Sequence, residues 1–243
     1  MTLTPRIDKT VGVLSRLLGE HAPVAFASSF GVEDMVLIDL ISRHAPSIAV
    51  FTLDTGRLPE ETLTLMAQAR RRYSLEIDVF YPDGPTLEEF VKAHGVNAFY
   101  DGVELRQSCC AIRKTAPLRR ALAGKGAWMT GLRRGQSVTR REVPLQEFDA
   151  LHGLPKFNPL ADWSEEDVWS YVRERDVPYN ALHDRGYRSI GCAPCTRAVA
   201  PGEDIRAGRW WWEDPENKEC GLHRRPAIKL IEKPASVTTG VAA

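Results

Sequence analysis

Short apolar runs alternate along this chain with longer stretches in which apolar residues recur every three or four positions. Val24 to Ala27 is an apolar run ending at Ser28-Ser29-Phe30-Gly31, and Glu33 to Arg43 then carries Val36, Leu37, Leu40 and Ile41 at helical spacing. Ile48 to Leu53 repeats the strand pattern, runs into Asp54-Thr55-Gly56, and leads to a helix opened by Pro59 with Glu60 and Glu61 in its first turn. Leu75 to Tyr81 reads as a third strand, and Thr86-x-x-Glu89 as a capping box for a helix that stops at Gly95. Trp128 to Thr130 predicts a further strand before a basic loop reaching Arg141, and Ser164 caps a helix over Glu165 to Arg175. Strands alternating with helices predict an α/β fold: a doubly wound, mostly parallel sheet with ligands at the carboxyl ends of its strands.

Length and charge narrow the picture. At 243 residues the chain has room for one nucleotide-binding-size domain over 1–205 and a C-terminal segment over 206–243, whose last part, small and polar from Pro226, is expected to be mobile. With 32 Lys and Arg against 32 Asp and Glu, no global field draws nucleic acid or anionic lipid, so any anion must be held by local clusters of Arg and Lys. No stretch has the apolar length of a membrane span, and Met1 to Thr10 does not read as a secretory signal. A cytoplasmic protein with reduced thiols is expected.

Five cysteines fall as an adjacent pair, Cys109-Cys110, a C-x-x-C, Cys192 and Cys195, and a lone Cys220. Each pair alone also suits buried core thiols or a redox couple. Taken together they fit a four-thiolate site, for which zinc and a [4Fe-4S] cluster are the candidates. Structural zinc sites usually use spaced pairs, and two neighbouring residues start from Cα atoms only about 3.8 Å apart, which favours iron-sulfur. Cys220 has Lys218, His223, Arg224 and Arg225 beside it, cations that lower a thiol's pKa while Glu219 opposes them.

Other basic groups follow the adjacent pair (Arg113-Lys114), fill the loop at Arg133-Arg134 and Arg140-Arg141, and precede Trp210-Trp211-Trp212 (Arg206 and Arg209). The loop Ser28-Ser29-Phe30-Gly31, between strand and helix, offers hydroxyls and free N–H groups to an anion or a ribose, and Asp54-Thr55-Gly56 adds polar groups on the same rim. His183 receives no assignment.

These segments, with Phe157-Asn158-Pro159-Leu160 and Glu219-Cys220-Gly221-Leu222-His223, resemble the assimilatory adenylylsulfate reductases of the iron-sulfur, thioredoxin-dependent kind over about residues 24 to 223. The resemblance implies an adenine nucleotide alpha-hydrolase fold, similar to ATP pyrophosphatases, with a C-terminal catalytic tail. It implies a [4Fe-4S] cluster on Cys109, Cys110, Cys192 and Cys195 that does not change redox state in turnover. It also implies reduction of adenosine 5'-phosphosulfate to sulfite and AMP, within sulfate assimilation and cysteine biosynthesis, through an S-sulfocysteine on Cys220 that thioredoxin or glutaredoxin releases. Catalytic roles would fall to Cys220, His223 and Lys114. Substrate contacts would come from Ser28, Ser29, Phe30, Gly31, Asp54, Thr55, Gly56, Arg141, Arg206 and Arg209. A homo-oligomer is compatible with this reading. The alternatives are a reductase of the 3'-phosphorylated substrate, which Glu33 and Asp34 would disfavour by repulsion, and a zinc-stabilised nucleotide-binding module without reductase activity.

Overall fold

The computed structural model describes residues 3–136 and 143–214. Ser137, Arg140, Arg141, Cys220 and His223 therefore lie outside the described residues. The chain runs α1 (Thr4–His21), β1 (Val24–Ala27), α2 (Val32–His44), β2 (Ala49–Leu53), α3 (Glu60–Tyr73), β3 (Ile77–Phe80), α4 (Gly84–His94), α5 (Val103–Cys110), α6 (Ala116–Leu122), β4 (Ala127–Met129), β5 (Gln146–Asp149), β6 (Leu154–Phe157) and α7 (Glu165–Glu174). The sheet order is β3-β2-β1-β4-β6-β5, parallel throughout except for the antiparallel edge pair β5 and β6. Strand order therefore reverses between β1 and β4, which opens a crevice above their carboxyl ends.

Alternation along the strands sorts the two faces. Val24 and Phe26 of β1, Val50 of β2 and Met129 of β4 pack with α1, α2 and α7 in the larger core. Ala25, Phe51 and Trp128 point the other way, onto Leu118, Ala121 and Leu122 of α6. Helix α2 is buried on nearly every side, from Asp34 through Ile41, because it lies between the sheet and its neighbouring helices.

One sequence expectation changes, and one feature was not anticipated. Helix α4 is capped by Asp83, whose carboxylate accepts from the Thr86 amide at 3.1 Å, so Thr86 lies inside the helix instead of opening it. Cys109 to Leu122 is one continuous helical run in which Ala111–Thr115 forms a π turn between α5 and α6. The wider turn re-aims the side chains of Arg113 and Lys114, and such turns recur at functional sites. Among the described residues no helix is long and apolar enough to cross a membrane.

Burying α2 required a solution for Asp39, whose side chain is fully buried. Tyr171 of α7 donates to it at 2.7 Å and Arg43 holds it through two further bonds, so the carboxylate joins α2 to α7. The same contact and burial raise the Tyr171 phenol far above its usual range. Asp39→Ala is expected to lower unfolding stability in urea by about 2 kcal/mol and Tyr171→Phe by about 1 kcal/mol, since the first strands the buried Tyr171 hydroxyl while the half-exposed Arg43 turns to water, and the second removes one of the donors to the carboxylate. Unchanged midpoints would show that the network contributes no more than a surface pair.

Candidate functional site

The loop after β1 is shaped by its own polar groups. The Asp34 carboxylate accepts from the Ser29 amide at 2.6 Å and the Ser29 hydroxyl at 2.8 Å, and the Ser28 hydroxyl accepts from the Phe30 amide. Phe30 takes a left-handed conformation (φ 57°) with its ring sealed in the larger core. Gly131, at the end of β4, lies against Asp34 so closely that a Cβ there would collide with the carboxylate. Glu33 is bonded by Arg133 at 2.8 Å.

These loops open onto a cavity of about 440 Å³ at the sheet's reversal point. Ser28, Ser29, Gly31, Thr55, Lys114, Arg206 and Arg209 all line it, as does Cys192. Phe30, Asp54 and Gly56 do not: Phe30 is a core plug, and the Asp54 carboxylate folds its own turn by accepting from the Gly56 amide at 2.8 Å. Sequence reading missed the far wall, made by Trp169 of α7, His183 and Arg188. Nothing local marks these residues, because they meet the crevice only once α7 docks.

A second cavity, of about 20 Å³, adjoins the first, and Lys114 and Cys192 line both. Cys109, Cys110, Cys192 and Cys195 all face this smaller space, with Arg57, Arg106, Arg113 and Trp210. Thr55 Oγ1 lies 3.2 Å from Cys192 Sγ, and Arg113 donates to the Thr55 carbonyl at 2.6 Å. Burial pushes the Cys195 thiol up to about 12, with Cys192 adding to the shift and Lys114 and Arg209 opposing it. Cys109 is raised for the same first reason. Among the described residues no disulfide joins these four cysteines. Among the described residues no three His, Cys, Asp or Glu side chains draw together as ligands of a single ion.

The cations are held by aromatic and carboxylate neighbours. Arg106 is almost fully buried, paired at 2.8 Å with an equally buried Glu213, and stacks over Trp210 at 4.6 Å. Arg209 lies over the same indole at 4.8 Å and donates to the Ile190 carbonyl. Its guanidinium occupies the space that a side chain at 191 would fill, so the glycine there admits it.

The phosphoadenosine phosphosulfate reductase domain model matches residues 23–198. The adenosine 5'-phosphosulfate reductase of Allochromatium vinosum is 55% identical over 224 residues, covering 92% of this chain and 88% of that one. That of Burkholderia cepacia is 52% identical over 244 residues, covering 99% and 96%. Among solved structures, the phosphoadenylyl-sulfate reductase of Candida auris in its phosphate complex superposes with a TM-score of 0.67 at 29% identity, over 78% of this chain and 90% of that one. The mostly parallel sheet is of the adenine nucleotide alpha-hydrolase type, in agreement with the fold that the sequence implied.

Asp34 gives the site a measurable pH signature. Burial pushes its carboxyl up to about 6, with the Ser29 amide and hydroxyl pulling the other way. A carboxyl whose folded pKa exceeds its unfolded one keeps its proton longer in the native state, so its stabilising contribution is lost as pH rises from about 4 through about 6. Relative to Asp34→Asn, the parent protein is expected to lose about 2 to 3 kcal/mol of unfolding stability between pH 4 and 7, measured by denaturant titration. The opposite slope would show that the Ser29 donors outweigh burial.

Proposed function

The chain belongs to the phosphoadenosine phosphosulfate reductase family, and from that premise we propose that it reduces adenosine 5'-phosphosulfate to sulfite and AMP as a step of sulfate assimilation. The observation that carries this reading is the wall common to the two cavities. A pocket of nucleotide size, bearing Lys114, Arg206 and Arg209, shares Lys114 and Cys192 with a chamber faced by four thiols. Thiolate attack on a doubly anionic phosphosulfate is opposed by charge until cations neutralise it, and those three side chains supply that neutralisation.

Cys220 is the nucleophile in this proposal, with His223 and Arg141 as further polar groups, all three outside the described residues. Asp214, the last described residue, lies six residues before Cys220, a chain length of at most about 20 Å. The Cys220 thiolate attacks the sulfate sulfur, the bond from sulfur to the phosphate oxygen breaks, and AMP leaves as a stable anion without a general acid. The enzyme is left with an S-sulfocysteine. A dithiol reductant, thioredoxin or glutaredoxin, attacks Cys220 Sγ and displaces sulfite as a mixed disulfide forms. Its second thiol then releases Cys220 as the reductant becomes a disulfide.

The residues around the small chamber fit a [4Fe-4S] cluster. Buried thiols with raised pKa values gain most from a cationic metal centre, which takes them as thiolates. Arg113 Nε and Trp210 Nε1, which line the same chamber, are buried donors without a hydrogen-bond partner among the described residues, and sulfur acceptors would satisfy them. Cys109, Cys110, Cys192 and Cys195 would hold the group. When bound it supplies a fixed charge beside Lys114 and ties the two cysteine segments together.

Selectivity against a 3'-phosphate, expected from repulsion by Glu33 and Asp34, finds less support than the sequence suggested. Arg133 neutralises Glu33, and Asp34 is sunk beneath Ser29. The shape of the pocket is left as the basis of discrimination.

Protein purified without air is expected to be brown and to contain iron and acid-labile sulfide, and Cys192→Ser or Cys195→Ser to lose both together with thermal stability. Stoichiometric zinc in a colourless protein would assign the chamber differently. Mixing the enzyme with adenosine 5'-phosphosulfate and no reductant is expected to leave a sulfonate on Cys220 that mass spectrometry locates. Cys220→Ser is expected to abolish it while keeping colour and AMP binding. A sulfonate on another residue, or sulfite release by the variant, would move the nucleophile elsewhere.

A further inference from the structure

A chain of contacts runs from the thiol chamber to the anion end of the larger cavity through side chains that the reaction above leaves idle. Arg106 stands one turn before Cys110 on α5, and its Nε and a terminal nitrogen donate to the two oxygens of Glu213 at 2.9 and 2.8 Å. The two side chains are 1% and 4% exposed. The Arg106 guanidinium lies over the Trp210 indole at 4.6 Å, and that of Arg209 over the same indole at 4.8 Å. Arg209 in turn lines the larger cavity with Lys114 and Arg206. The backbone beneath this stack is tied to the C-x-x-C segment: the Arg197 amide donates to the Gly208 carbonyl at 3.0 Å, and the Trp210 amide to the Cys195 carbonyl at 3.2 Å.

Stability does not account for the buried pair, because apolar residues of similar volume would serve as well. What the pair supplies is direction and charge balance. Two parallel bonds fix the plane of a guanidinium, and this one rests on an indole whose backbone is left-handed at φ 42°. The two guanidiniums around that ring lie within about 10 Å of each other, inside the range over which charges act on one another. Glu213 offsets the charge of Arg106. Among the described residues Arg209 meets a carbonyl, the indole and the gap at Gly191, but no carboxylate. Its charge is therefore left for an anion in the cavity.

We infer that Arg106 and Glu213 are positioning residues, which act through Trp210 to hold the Arg209 guanidinium at the anion end of the cavity. The inference rests on the nucleotide reading given under Proposed function. Its test is a mutant cycle on the full chain, purified without air and carrying Cys220→Ser so that the substrate stays intact. The affinity for adenosine 5'-phosphosulfate relative to adenosine, which lacks the anion, measures what the anion end contributes. Arg106→Met with Glu213→Met keeps the buried volume and puts thioethers against the indole. That variant is expected to keep its iron and visible colour and its affinity for adenosine, and to lose about tenfold in the preference for adenosine 5'-phosphosulfate. Arg209→Ala is expected to lose at least as much, and adding the two Met substitutions to it to cost nothing further, since residues that act through one another are not additive. If the Met variant does not fold or loses its iron, Glu213→Gln, which keeps the shape of the pair, replaces it, with a smaller loss and the same non-additivity expected. A preference equal to that of the parent, or a loss that adds in full to that of Arg209→Ala, would overturn the inference. A parent that binds neither ligand would instead overturn the nucleotide reading itself.

Discussion

Everything near the two cavities depends on the turn that follows β2. Thr55 accepts the buried guanidinium of Arg113 on its carbonyl and meets Cys192 Sγ with its hydroxyl. Two residues later the Arg57 carbonyl accepts from the Ala193 amide at 2.8 Å, and the Arg57 guanidinium lies over Phe99 at 5.1 Å. One turn thus fastens both cysteine segments, which are remote in sequence, to the carboxyl end of the same strand. Closing such long loops carries an entropic cost that grows only slowly with length, so a few short, buried bonds suffice to hold them. Because the turn also lines the larger cavity, the pocket and the thiol chamber are positioned by one element.

Charge is handled locally. The chain's formal charge is zero, yet buried arginines crowd the chamber, and each is compensated in a different way. Arg106 has a buried carboxylate and an indole, Arg113 a carbonyl, and Arg209 a carbonyl and the same indole. A buried ion pair such as Arg106 with Glu213 gives little net stability against an apolar replacement, because desolvation offsets most of the attraction. Its value lies in fixing Trp210, and with it the segment that carries Arg206 and Arg209, against the cysteine cluster.

The strands and their order of appearance were legible in the sequence because buried parallel strands announce themselves as short apolar runs. Val24–Ala27 matches to the residue, and the other expected strands differ only at their ends. Helix α1 was not anticipated: its buried stripe, Val13, Leu14 and Leu17, lies among charges that dilute the signal. Strands β5 and β6 were missed since Gln146–Asp149 is a polar edge strand with no apolar run. The grouping of four thiols could be argued from cysteine spacing. The π turn that re-aims Lys114 could not, because it arises where two helical segments meet under tertiary packing. For the same reason Phe30 and Asp54, which look like ligand contacts in a polar loop, prove to be a core plug and a turn former.

Backbone strain marks how rigidly the site is made before any ligand arrives. Phe30 and Trp210 both adopt left-handed conformations, φ 57° and 42°, that aromatic residues rarely take. Each costs of order 1 to 2 kcal/mol, and each is at most 1% exposed, Phe30 in the larger core and Trp210 among the thiols. Burial of a large aromatic side chain contributes more than that strain, so the packing enforces the conformation. The consequences fall on opposite sides of the cavity: Phe30 turns the Ser28 and Ser29 hydroxyls and the α2 terminus toward it, while Trp210 fixes Arg209 upon Gly191. Polar and cationic groups held this way need little reorganisation when a ligand enters, which is the condition under which fixed charges stabilise a reacting anion most effectively.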